Sequence, residues 1–158
     1  MCKNSVRWLY RLEQNFSWES GIHFERDHAY RDKAGKVRLI IEAGGRITVI
    51  RGYSWNGCSP KFCLFDLIIG TPDGVVHAVT GHPKTYFASM VHDALYQFLR
   101  VETSVTRSQA DACFLRLMAE SDFSLRYLYW GAVRTLGWLV WRGKQHKRDW
   151  AGKSVELP

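Results

Sequence analysis

Two hydrophobic rhythms divide this chain. Up to about residue 53, apolar residues alternate with polar ones or gather in short β-branched runs. From Pro83 onward they recur every three or four residues, the spacing of an amphipathic helix. In the first half, residues 22–32 alternate weakly and Lys33-Ala34-Gly35-Lys36 reads as a turn. Val37 to Ala43 is a β-branched run, Gly44-Gly45 a second turn, and Arg46 to Tyr53 a further strand. Residues 54–82 read as an irregular loop segment rich in Gly and Pro. It holds the piece SWNGCSP, an apolar stretch from Phe62 to Ile69 and a short candidate strand at Gly74 to Val79.

In the second half, Pro83 suits a first helical turn, and Phe87, Met90, Val91, Ala94, Leu95, Phe98 and Leu99 keep the 3.6-residue period. Thr106 and Gln109 have the spacing of a capping box, in which each side chain satisfies a free backbone N–H of the other. The helix they open buries Ala110, Cys113, Phe114, Leu117 and Met118. A third helix is expected from Ser124 to Arg142, with Asp122 as its cap, and the polar, basic tail from Gly143 should be frayed. The expected class is α+β: antiparallel hairpins or a meander, then a three-helix half built around an antiparallel two-helix core. We read residues 1–158 as one domain, with a β-rich part (1–53), a loop segment (54–82), a helical part (83–142) and a basic tail (143–158).

Composition sharpens this picture in a few places. At 46% hydrophobic residues over 158 positions, the chain can fill a core without disulfides or metal. Its formal charge of +7 favours anionic partners such as phospholipid surfaces or nucleic acid, and equally serves plain solubility. The start, MCKNSVRWLYRLEQ, lacks the apolar core and cleavage site of a signal peptide, and no uncharged apolar stretch is long enough to span a bilayer. Cys2, Cys58, Cys63 and Cys113 are therefore expected as thiols. They form no CxxC, and His77 and His82 sit too loosely around them for a zinc site.

Chemistry enters through polar residues on apolar helix faces. His92 has Ala88, Leu95, Tyr96 and Leu99 as its helical neighbours, and Asp111 has Phe114, Leu115 and Met118. Burying either group alone is costly, whereas burying the two as a hydrogen-bonded pair is not. A short connector, roughly residues 100–106, should set the two helices antiparallel and let His92 meet Asp111. Tyr96, one turn beyond His92, can donate its hydroxyl to Asp111. Asp93 points about a quarter-turn away from His92 and could face a loop and a cation. A single buried His is more often a satisfied core residue, and an Asp early in a helix is commonly there for the dipole. The four together favour a site.

These residues carry a resemblance. HDALY at 92–96 followed by ADACF at 110–114 resembles the two-helix signature of the phospholipase A2 superfamily, and Trp55-Asn56-Gly57-Cys58-Ser59 resembles the WDGCS-like loop of its bacterial and fungal members. The stretch from about Gly52 to Trp138 also resembles an uncharacterised family of phage and prophage proteins, in which a (D/N)G loop precedes HDxLY, R-x-x-AD-x-x-F and an aromatic-rich helix, here Tyr129 to Gly137. The resemblance implies His92 as the general base for a water, Asp111 as its orienting partner and Tyr96 as support. It implies Asp93 as a Ca²⁺ ligand, helped by the Asn56 side chain and backbone groups of Trp55 and Gly57, with a loop N–H such as that of Gly57 facing the oxyanion. The pattern departs in four places, one of them a longer stretch between Gly57 and His92. The doubled-Gly calcium loop is absent, Asn56 replaces an Asp, and Leu95 stands where a Cys would follow HD.

Tyr127, Tyr129, Trp130, Trp138 and Trp141, interleaved with Arg126, Arg134 and Arg142, would suit a helix lying at a lipid interface. Gly131, Ala132 and Gly137 favour instead a third helix packed closely on the first two. Nothing beyond the aromatic and Arg mixture points to nucleic acid. The functional expectation is a phospholipase A2-like hydrolase, assisted by Ca²⁺ and acting on an ester at a phospholipid membrane surface. The alternative is a non-enzymatic phage protein, a virion component or host-directed binder, whose His–Asp pair is structural. A hydrolase of another substrate using the same pair is a third option. The expected location is the cytoplasm of an infected bacterium, or the virion.

Overall fold

The computed structural model describes residues 10–58, 61–64, 67–70, 75–98, 105–143 and 151–156. An antiparallel sheet is followed by three helices, and a last strand returns to the sheet. The strands are β1 (Tyr10–Arg11), β2 (Phe16–Glu19), β3 (His28–Asp32), β4 (Val37–Ile41), β5 (Arg46–Val49), β6 (Ser54–Trp55), β7 (Lys61–Leu64), β8 (Leu67–Gly70) and β9 (Ala151–Glu156). The helices are α1 (Tyr86–Phe98), α2 (Arg107–Glu120) and α3 (Arg126–Gly143).

The main sheet runs β2-β5-β4-β3-β9, and the pairs β1–β6 and β7–β8 form separate two-stranded ribbons. Its registers follow from the alternation. Tyr30 faces Leu39, Leu39 faces Val49 and Val49 faces Phe16, while Ile41 faces Ile47 and Ile47 faces Trp18. Period-2 strands place such rows on one face. Tyr30, Leu39, Ile41, Ile47 and Val49 are all buried. The face meets α1, where the Tyr30 and Phe98 rings lie 5.4 Å apart. At the β4–β5 turn Gly45 has φ 105°, and a Cβ there would stand 2.7 Å from the Ile22 carbonyl oxygen, so only Gly fits.

Several expectations need correction. Tyr10–Arg11 and Phe16–Glu19 form strands that weak local patterning does not announce, since their support comes from partners distant in sequence. The 54–82 segment is more regular than a loop: it contains β6 and the β7–β8 hairpin. Between Gly74 and Val79 the described structure has only a bridge from Val76 to Pro83, so Pro83 precedes α1 and the helix starts at Tyr86. The tail from Gly143 is not simply frayed, because Ala151–Glu156 pairs antiparallel with β3 and widens the sheet.

The capping box at Thr106 and Gln109 is present, with both reciprocal bonds. Asp122 does not cap α3. It ends α2, adopting φ 51°, and donates its N–H to the Ala119 carbonyl at 3.0 Å while the Phe123 N–H donates to Met118 at 2.9 Å. That is the pattern of a Schellman stop, completed by the buried Phe123 ring. From there α3 packs against α2 through Tyr129 and Val133, leaving Leu125, Tyr127 and Leu128 exposed. Among the described residues no helix is long and apolar enough to cross a membrane. The side chains of Trp138, Trp141 and Arg142 lie outside the described set, as do Cys2, Ser59 and the side chain of Cys63. Cys58 and Cys113 are buried and in no disulfide, and burial pushes the Cys113 thiol up to about 12.

Candidate functional site

Helices α1 and α2 lie against one another, and the two polar residues on their apolar faces meet there. Asp111 is 1% exposed and His92 8%. The His92 Nε2 stands 3.1 Å from Asp111 Oδ1, and the Tyr96 hydroxyl donates to the same oxygen at 2.5 Å. Helical spacing explains the pair: residues four apart on α1 share a face, so Tyr96 follows His92 toward α2. Their rings lie 4.2 Å apart, and Phe114 closes the imidazole from α2 at 4.9 Å.

Two arginines complete the cluster. Arg134 of α3 donates from Nη1 to Asp111 Oδ2 at 3.2 Å. Arg107, one turn before Asp111 on α2, stands 3.7 Å from the same oxygen. Its Nε donates to the Tyr96 hydroxyl at 3.0 Å, and its Nη2 donates to the carbonyls of Val133 at 3.3 Å and Arg134 at 2.7 Å. One carboxylate thus draws groups from three helices. Sequence reasoning did not assign either arginine to the site. The i,i+4 spacing of Arg107 and Asp111 was a signal that could have found the first, whereas Arg134 has no local signature.

The electrostatics follow from these contacts. Burial raises the Asp111 carboxyl, but hydrogen bonds from His92 and Tyr96, together with that from Arg134, outweigh it and hold the group below its ordinary value. An ionised carboxylate only accepts, so His92 Nε2 carries a hydrogen. In the neutral ring that leaves Nδ1 as the acceptor, and Nδ1 has no hydrogen-bond partner among the described residues. Tyr96 is pushed the other way: burial first, then the carboxylate beside it, raise the phenol, which stays a donor.

The loop expected to hold a cation approaches α1 at a defined level. Trp55 is wholly buried in an aromatic cluster, its ring 5.4 Å from Tyr10 and 4.8 Å from Tyr86, and its Nε1 donates to Ser89 Oγ at 3.2 Å. Ser89 lies one helical turn before Asp93, which is half-buried. The Asn56 amide oxygen is buried, and Gly57 takes φ 74°. Among the described residues no three His, Cys, Asp or Glu side chains are grouped so as to hold a metal. The donors on offer are one carboxylate, one amide oxygen and backbone carbonyls. An all-oxygen set of low charge suits Ca²⁺ bound weakly, not a tight transition-metal site.

No curated protein matches this chain, and no solved structure does. Residues 60–133 match the model of a family described as a protein of unknown function (DUF1353), a stretch that takes in His92, Tyr96, Arg107 and Asp111 and stops one residue short of Arg134.

Proposed function

We propose that this protein is a hydrolase of the phospholipase A2 type, cleaving an ester of a phospholipid at a membrane surface. One observation carries the reading. His92 is held through Nε2 by an ionised, buried Asp111, while its Nδ1 has no hydrogen-bond partner among the described residues. That is what a general base for water requires: a fixed tautomer, a fixed ring and one lone pair directed away from its anchor. Nδ1 would take a proton from a water whose oxygen attacks the ester carbonyl. Asp111 would stabilise the imidazolium that results and then let it return the proton to the leaving alcohol. Tyr96 and Arg107 keep the carboxylate from turning. Asp93, Asn56 and the backbone at Trp55 and Gly57 would hold Ca²⁺, which when bound supplies positive charge for the oxyanion. The chain's charge of +7 supports attraction to an anionic bilayer.

The test is fatty-acid release from phospholipid vesicles, with calcium or with chelator. Release that needs calcium and falls at least about a hundredfold in His92→Gln, with an unchanged melting temperature, is the expected result. Equal release from the variant, or none from the parent chain under either condition, would sink the proposal.

A second reading is favoured by the number of partners on Asp111. A carboxylate that binds residues of three helices is also what a buried clasp needs, as in a virion component or host-directed binder of a phage. On that reading His92→Gln unfolds the chain and leaves no activity to lose.

A further inference from the structure

Arg134 is placed differently from the other partners of Asp111. It comes from α3, and its side chain is 41% exposed where that of Arg107 is 23% exposed. Arg107 donates from Nε to Tyr96 and from Nη2 to two carbonyls, so its own Nε–Nη2 edge is occupied. Arg134 uses only Nη1, on Asp111, and its Nε and Nη2 have no hydrogen-bond partner among the described residues. Those two nitrogens form one edge of the guanidinium, the fork that grips an oxyanion with parallel N–H bonds. The group is also steadied, since it lies over the Trp130 ring at 5.8 Å and its residue's own carbonyl is held by Arg107.

Charge points the same way. Around Asp111 one carboxylate faces two guanidiniums, an excess of one positive charge before His92 is counted. Arg134 and His92 bind opposite oxygens of that carboxylate, so Asp111 ties the guanidinium to the imidazole.

We infer that Arg134 forms a subsite for a phosphate-type oxyanion, using its Nε–Nη2 edge to seat the ligand at the margin of the His92–Asp111 cluster. The inference rests on the proposed hydrolase only in taking His92 as the reacting neighbour. Anion binding itself needs no turnover. Within that reading the subsite would fix the phosphate of the substrate and so set which ester reaches the base.

Titration of the full chain with inorganic phosphate, followed through the arginine Nε–H resonances, tests this directly. A saturable shift of the Arg134 signal is expected, with that of Arg126 still. Binding should vanish in Arg134→Gln and weaken about tenfold in Arg134→Lys, which keeps the charge but loses the fork. Should Arg134→Gln fail to fold, the parent titration and the Lys variant still decide. An unmoved Arg134 signal, or Arg134→Lys binding as tightly as the parent, overturns the subsite. Competition by phosphatidylglycerol vesicles would identify a lipid headgroup as the source of the phosphate, and lack of competition a soluble phosphate compound. Absence of lipid hydrolysis by the parent chain, with phosphate binding intact, would refute the hydrolase and leave the subsite standing.

Discussion

In the five-stranded sheet, Leu39, Ile41, Ile47 and Val49 fill the interior with hydrocarbon alone, while between α1 and α2 a carboxylate with four polar partners is buried as deeply. The first arrangement follows from area removed from water and tolerates swaps of similar volume. The second is stable only when complete, because each partner removed leaves another group buried and unpaired. The contrast teaches where to look for function. Carbon fits many folds and tells little, but an ionised group in a core carries a cost that some role has to justify.

The comparison can be broken most sharply at Asp111. Asp111→Ala should cost about 3–5 kcal/mol in urea unfolding, since it strands His92, Tyr96 and the arginines together. Leu39→Ala should cost about 2–5 kcal/mol through its cavity, yet leave the His92 ring signals in place. If Asp111→Ala proves neutral, the two halves do not differ in the way described here. Tyr96→Phe should be milder, about 1–2 kcal/mol, because Asp111 keeps the hydrogen bonds from His92 and Arg134 and the ion pair with Arg107; a larger loss would make the hydroxyl, and not the ion pairs, the centre of the cluster.

Acid should reveal the same asymmetry. The Asp111 carboxyl is held below its ordinary value when folded, so the unfolded chain takes up the proton first as pH falls. Its stabilisation is present above about pH 4, the unfolded value, and is lost as pH drops through the folded one. The Asp111→Asn variant should therefore show a flatter acid limb than the parent in melts below about pH 4, and identical slopes would count against the pairing. Alkali works in reverse through Cys113, whose contribution is present below its ordinary 9.0 and lost as pH rises toward about 12. The smallest effect lies at the helix stop. Asp122→Gly should raise stability by about 0.5–1 kcal/mol, since φ 51° suits Gly better than Asp.

Much of the helical half could be read from the chain because its signals are local. The 3.6-residue period, the Thr106–Gln109 box and the paired placement of His92, Tyr96 and Asp111 each span a few turns. What escaped notice depends on distance. β2 is a strand because β5 is beside it, and Arg134 reaches Asp111 only after α3 has folded back. The Asp122 reading erred in a subtler way: an Asp before a helix is a natural cap, but here the preceding helix needed a left-handed stop and claimed it first. The loop at Trp55 stands between these cases, its aromatic anchor visible in the sequence but its partner Ser89 not.

The pairing of β3 with β9 has a consequence in time. β3 precedes the three described helices and β9 follows them, so the sheet is completed only after the intervening residues have been made and packed. During synthesis β3 presents one unsatisfied edge until residues 151–156 emerge, and such an edge is a template for pairing with a neighbouring chain. Non-local closure of this kind slows folding relative to a local helical hairpin. In a nascent chain the α1–α2 polar cluster can therefore assemble early, and the sheet that backs it is sealed last.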